Sequence, residues 1–345
     1  MIWTTFGWAG ITLSIPDSWE IAGISGDQKA GYLRLDDENM PRLELKWSES
    51  KRKKNDLHAV LDEYFKLVRK SYSKKGSKKS GELRIKRDVD LLKAEQNPHL
   101  HVPIFFQWRG DIFAHGVIYH CPKSQQITIA QVMAQTRHSL HSVSIPLFLS
   151  LKNLSVVEPE NDFLWSAYQM SFWAPQRYRL EKQQLLSGYL LFSFIDPGTL
   201  LDRKRRLSVE RYGLADVLLK DRELEDWFRA QYQKSLRGFG YQIEASDDGT
   251  DQQFMLLGQE TRFSDNIPFQ QVQSLDQLSK RKTLATHVRR CRRSNRIFVV
   301  QSVSKQNAVP VVNRVAASIH CHSDTDQEIG IIDSAEEPTL DAIGG

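Results

Sequence analysis

The sequence predicts an α+β protein made of two tandem copies of a largely antiparallel sheet covered by helices, followed by a disordered acidic C-terminal tail. Three observations predict it. Leu61-Asp62-Glu63-Tyr64-Phe65-Lys66 is repeated in chemistry, position by position, by Leu224-Glu225-Asp226-Trp227-Phe228-Arg229. Further segments recur in the same order at a spacing of roughly 165 residues, too long for a solenoid repeat and right for a doubled domain. Each copy reads as short alternating strands, one long amphipathic helix, more strands and a closing helix, an order that favours an antiparallel sheet with helices against it.

The first copy is assigned to residues 1–157. Ile11-Thr12-Leu13-Ser14-Ile15 alternates apolar and polar as a strand does, and Pro16-Asp17-Ser18 breaks it. Trp19-Glu20-Ile21 resumes extended structure. Gly31 to Leu35 and Leu43 to Trp47 form a strand pair across the polar turn Asp36-Asp37-Glu38-Asn39. Leu57, Val60, Leu61, Tyr64, Phe65 and Val68 then make one apolar helical stripe, with Asn55 or Asp56 as its cap and an end near Tyr72. Strands follow at Leu83–Ile85, Val102–Trp108, Ile112–Tyr119 and Ile127–Val132. Leu140–Leu151 reads as a second helix, kinked or delayed by Pro146.

Residues 158–162 read as a linker, and the pattern restarts over residues 163–322. Ala174-Pro175 to Leu180 parallels Ile15-Pro16 to Ile21. Gly188-Tyr189-Leu190 parallels Gly31-Tyr32-Leu33, and Arg206-Leu207-Ser208-Val209 parallels Arg42-Leu43-Glu44-Leu45. A helix around Leu224, Trp227, Phe228 and Tyr232 ends near Gly238 and Gly240. Cys291 to Ile297 parallels Cys121 to Ile127, and Val311–Ile319 parallels the helix ending at Leu151. The strand-Pro-x-x-aromatic opening, Ile15-Pro16-Asp17-Ser18-Trp19 and again Pro175 with Tyr178, resembles the PsbP-like fold of an extrinsic photosystem subunit and a Ran-release factor. That resemblance implies a non-catalytic domain that docks on a protein partner, and it carries over no functional residue.

Composition bounds the function. A chain of 345 residues with 40% hydrophobic and 26% charged residues suits two globular domains. No apolar run reaches the length that spans a bilayer, and Met1 to Phe6 lacks the basic start and apolar core of a signal peptide, so a cytoplasmic location is expected. Three cysteines, Cys121, Cys291 and Cys321, argue against a disulfide scaffold. Net charge is +5, but residues 323–345 hold seven acids and no Lys or Arg, a charge of −7 that leaves the rest of the chain at +12.

Chemistry-bearing motifs are sparse. Arg289, Arg290, Arg292, Arg293 and Arg296 form the densest basic run and are the candidate polyanion- or partner-binding residues, since guanidinium forks match phosphate and carboxylate. Arg203 to Arg206, Lys51 to Lys54 and Lys74, Lys75, Lys78 and Lys79 add further basic blocks. His99, His101, His115 and His120 gather near Cys121, with His99 and His101 placed on one face of a strand, but without zinc-ligand spacing. His320-Cys321-His322 is read as the frayed end of the last helix. Gly238-Phe239-Gly240 should end a helix rather than open one, which is the wrong setting for a phosphate cradle. Within the tail, Ile329 to Ile332 is an apolar island, and the chain closes on Gly344-Gly345.

No cofactor, metal or catalytic residue is expected. The sequence therefore favours a non-enzymatic intracellular protein-interaction or scaffold protein. The alternative is a nucleic-acid or other polyanion-binding protein using the arginine-rich surface, with the acidic tail able to mask that surface. An enzyme with an interdomain site is a third reading.

Overall fold

The computed structural model describes residues 1–50, 56–74, 82–93, 95–153, 162–198, 205–247, 251–261 and 281–321. The basic block 51–54, Asn55, Lys75, Lys78, Lys79, Arg203, Lys204, residues 158–161 of the linker and the whole acidic tail, with Ile329–Ile332 and Gly344-Gly345, lie outside those residues. Among the described residues no helix is long and apolar enough to cross a membrane.

The chain begins with a hairpin, β1 (Trp3–Trp8) and β2 (Ile11–Pro16). It continues through β3 (Glu20–Gly26), β4 (Ala30–Asp36), β5 (Pro41–Glu49), α1 (Leu57–Lys74), β6 (Arg84–Arg87), β7 (Ile104–Arg109), β8 (Phe113–Cys121), β9 (Gln126–Ala134), α2 (Arg137–Ser150) and β10 (Lys152–Asn153). A second hairpin follows, β11 (Asp162–Ala167) and β12 (Met170–Pro175). After it come β13 (Arg179–Leu186), β14 (Tyr189–Asp196), β15 (Arg205–Gly213), α3 (Ala215–Leu219), α4 (Leu224–Leu236), β16 (Phe239–Asp247), β17 (Gln252–Glu260), β18 (Thr283–Cys291), β19 (Arg296–Ser304) and α5 (Val309–Ala317).

Two seven-stranded sheets result, antiparallel throughout: β3-β4-β5-β9-β8-β7-β6 and β13-β14-β15-β19-β18-β17-β16. The second order is the first advanced by ten strands. Details agree as well. The β8–β9 and β18–β19 turns place Gln125 and Asn295 at φ +54° and +50°. Ser150 and Ser318, at the ends of α2 and α5, accept the backbone N–H of Ser14 (2.8 Å) and Trp173 (2.9 Å), which are matched positions of β2 and β12. Lys152 pairs with Thr12, and His320 with Ser171. His320 is thus bridged to β12, and this stretch is not the frayed helix end that the sequence suggested.

One sequence correspondence is out of register. Leu33 lies opposite Leu45, whereas Phe192, not Leu190, lies opposite Val209, the counterpart of Leu45. The match of Gly31-Tyr32-Leu33 to Gly188-Tyr189-Leu190 is therefore displaced by two residues. A two-residue slip keeps every side chain on its own face, so the alternation conceals it.

Strand outweighs helix more than the sequence implied. α1 starts on Asp56, whose carboxylate accepts the Ala59 N–H at 3.1 Å, and its stripe buries Leu61, Tyr64 and Phe65 on one face of the first sheet. α4 does the same on the second sheet with Trp227, Phe228 and Tyr232. Phe65 meets Phe106 edge-on at 5.1 Å, and Phe228 meets Phe254 edge-on at 5.4 Å. α2 is capped by Thr136 and runs through Pro146, which neither delays nor breaks it. α4 stops before Gly238, whose φ of +92° turns the chain, and Phe239 already opens a strand. The opposite faces of both sheets, the two hairpins, α2 and α5 share one core.

Candidate functional site

The halves meet through their hairpins. A Cβ at Gly7 would fall 2.5 Å from the Cβ and the carbonyl oxygen of Leu164, so only glycine lets β1 and β11 approach this closely. Beside it Trp8 stands edge-on to Trp165 at 5.1 Å. The Tyr168 hydroxyl crosses from the second hairpin to donate to the Ile21 carbonyl at 2.8 Å. The buried Arg211 guanidinium donates to the carbonyls of Tyr168 (2.5 Å) and Ser187 (3.3 Å). Burial, then the neighbouring Arg296 charge, lowers its pKa to about 10. Burial likewise raises the carboxyl of Glu20 nearby.

At one end of this seam opens a cleft of about 340 Å³ with walls from both halves. Its floor is a polar chain. The Tyr119 hydroxyl donates to Asn153 Oδ1 (2.6 Å), Asn153 Nδ2 donates to Gln126 Oε1 (2.9 Å), and Gln126 Nε2 reaches the Gln28 carbonyl (3.5 Å). Around the rim stand Lys29, Lys123 and Arg179, with Glu49 as the one acid, 3.9 Å from Lys29. Three cations against one carboxylate in the described lining give the cleft a positive rim over a floor of amides. The described lining includes no histidine or cysteine, the residue types that most often move protons or act as nucleophiles.

The cleft has a local cause. The first hairpin turns on Ala9-Gly10, which offer almost no side chain, while the matched turn of the second hairpin is Tyr168-Gln169. There Gln169 Oε1 accepts Arg296 Nη2 at 3.0 Å, and its carbonyl accepts Arg296 Nη1 at 3.4 Å. The corner that stays open in the first half is filled in the second.

The five arginines singled out in the sequence do not form one exposed patch. Arg289 lies over the Phe298 ring, 5.5 Å from its centroid, and donates to the Ile319 carbonyl at 3.3 Å. Arg290 pairs with Asp216 at 2.5 Å and with Gln252 at 3.2 Å. Arg296 holds Gln169 and the Cys321 carbonyl (3.2 Å). Arg292 and Arg293 project from the β18–β19 turn as exposed residues.

The histidines are arranged differently from the expectation, with the His115 ring against His141 at 6.3 Å. His99 and His101 sit in the turn before β7 instead of on a strand, and His115 Nδ1 meets Ser144 Oγ at 2.8 Å. Among the described residues no His, Cys, Asp and Glu group could hold a metal. Sequence reasoning missed Lys29, Lys123 and Arg179 as a set. They lie far apart in the chain, and no run joins them.

No protein-family model and no curated protein matches the chain. Among solved structures, the immunity protein TplEi of the T6SS from Pseudomonas aeruginosa, complexed with an "L" peptide, aligns at 11% identity over 92% of this chain and 98% of that chain, with a TM-score of 0.34. A chain of the Tle4-Tli4 complex aligns at 11% identity over 92% and 97%, with a TM-score of 0.33. TM-scores this low leave function to be argued from the chain itself.

Proposed function

We propose that the chain is a non-enzymatic protein-interaction protein built on a duplicated sheet-and-helix unit, and that the seam cleft receives an acidic segment of its protein partner. The observation that carries the proposal is the convergence of Lys29, Lys123 and Arg179, from three separate parts of the chain, over the Asn153–Gln126 floor. The common strand order and the paired Ser150 and Ser318 contacts support the duplication. Ala9 and Phe163 tie the cleft to the shared core, so its backbone is in place before it is filled.

The test is fluorescence anisotropy with a labelled glutamate-rich peptide. Binding is expected to weaken with salt, and to weaken about tenfold or more in a Lys29→Glu, Lys123→Glu, Arg179→Glu variant, since tenfold corresponds to only about 1.4 kcal/mol. An unchanged affinity in that variant, together with loss on Arg292→Glu and Arg293→Glu, would replace the cleft with the arginine turn and revive the polyanion reading.

A further inference from the structure

Cys291 closes β18, where its partner across the ladder is Arg296. Arg296 turns back on the C-terminal stretch and donates to the Cys321 carbonyl at 3.2 Å, while Arg289 donates to that of Ile319. Between them His320 exchanges both backbone hydrogen bonds with Ser171, at 2.9 and 3.0 Å. Residues 319–321 are thus laid along the end of the sheet, and the Cys321 thiol is brought against that of Cys291. Both cysteines belong to the shared core and are 5% and 2% exposed.

The first half has no such pair. The counterpart of Cys291 is Cys121, since each lies opposite the residue that opens the next strand, Gln126 or Arg296. The place of Cys321 is taken there by Asn153: Asn153 follows Lys152, which pairs with Thr12, as Cys321 follows His320, which pairs with Ser171. The molecule therefore carries its own control thiol in an equivalent setting.

We infer that Cys291 and Cys321 are a covalent modification site: a reversible intramolecular disulfide formed by exchange with a low-molecular-weight disulfide. One cysteine gives its proton to solvent, its thiolate attacks a sulfur of the external disulfide, and one external thiolate leaves. The second cysteine, likewise deprotonated, attacks the protein sulfur of the mixed disulfide and expels the other external thiolate. The protein loses two electrons and two protons, and the external disulfide becomes two thiols. Burial, and to a lesser extent the neighbouring Cys291, pushes the Cys321 thiol up to about 11, so Cys321 forms its thiolate slowly until the segment opens or the pH rises. Once formed, the bond staples to the sheet the point from which the acidic stretch continues.

The test treats the full chain with oxidised glutathione at rising pH, in water and in mild urea, then alkylates it and maps the peptides by mass spectrometry without reduction. The expected result is loss of two alkylatable thiols out of three, with one linked peptide pair carrying residues 291 and 321 while Cys121 remains alkylated. Cys291→Ser and Cys321→Ser each abolish the linked pair, and Cys121→Ser leaves it. If a serine variant does not fold, the wild-type map alone decides. A bond to Cys121, glutathione adducts that persist on Cys321 without closing, or three alkylatable thiols even in urea would each overturn the inference.

Discussion

Gly7 donates its backbone N–H to Ser166 Oγ at 3.0 Å, and the two residues are the same position of the two halves, each nine residues before the proline that ends its hairpin. A position that touches its own counterpart lies on the axis of an isologous contact, the arrangement that two identical subunits adopt in a two-fold dimer. In this chain the contact joins the hairpins β1–β2 and β11–β12. Gly7 is kept free of a side chain by Leu164, whose Cβ and carbonyl oxygen lie 2.5 Å from where its Cβ would stand.

Substitution at this crossing is therefore expected to be costly in one direction and mild in the other. Gly7→Val places atoms inside Leu164 and its carbonyl and should destabilise by about 3 kcal/mol or more. Ser166→Ala keeps the space but strands a buried N–H, at about 1–2 kcal/mol. Urea midpoints of the two variants check the order; a Gly7→Val protein as stable as the wild type would mean that the hairpins do not meet this closely.

The two long helices should respond alike. Phe65 and Phe228 are fully buried, each edge-on to a phenylalanine of its sheet. Phe65→Ala and Phe228→Ala are each expected to cost about 3–5 kcal/mol. Because the opposite sheet faces share one core, both variants should still unfold in a single transition. Two separated transitions by fluorescence and circular dichroism would show instead that the halves unfold independently.

Much of this architecture is legible in the chain. The apolar stripe from Leu57 to Val68 gives α1, and the six-residue motif around Tyr64 and Trp227 gives the recurrence, because burial against a sheet imposes a period that propensity and pattern both record. The Cys121 and Cys291 segments align with the ladder because their turns need the same left-handed residue before the next strand. The hairpin β11–β12 escaped because Phe163 to Ala167 is buried on both faces, so no alternation marks its first strand. The cleft escaped for a different reason: it comes from the missing side chain of Gly10 and from cations far apart in sequence, and only the folded chain brings them together.

Within the arginine run, inward and outward residues should separate by stability. Arg296→Ala removes three hydrogen bonds, two to carbonyls and one to the Gln169 amide, and should destabilise by about 1.5–3 kcal/mol. Arg292→Ala, in the exposed turn, should stay within about 0.5 kcal/mol of the wild type. Equal effects in thermal melts would contradict the inward placement of Arg296.

Acid should destabilise the fold through two histidines. Burial, reinforced by His141 for His115 and by Arg289 for His287, lowers each ring to about 4 from the ordinary 6.5. Between those values the unfolded chain binds protons that the folded chain refuses, so stability rises with pH across that window. The contribution is complete above about 6.5, falls away as the pH drops towards 4, and changes no further below that. Allowing for solvent at these half-buried rings, each is worth on the order of 1–2 kcal/mol. Glu20, raised by burial, tilts the curve the other way over part of the range, but as a single group against two. Urea midpoints at pH 7 and pH 5 should differ accordingly, and His115→Gln with His287→Gln should flatten the difference. A double variant that keeps the full acid sensitivity would place its origin in other groups.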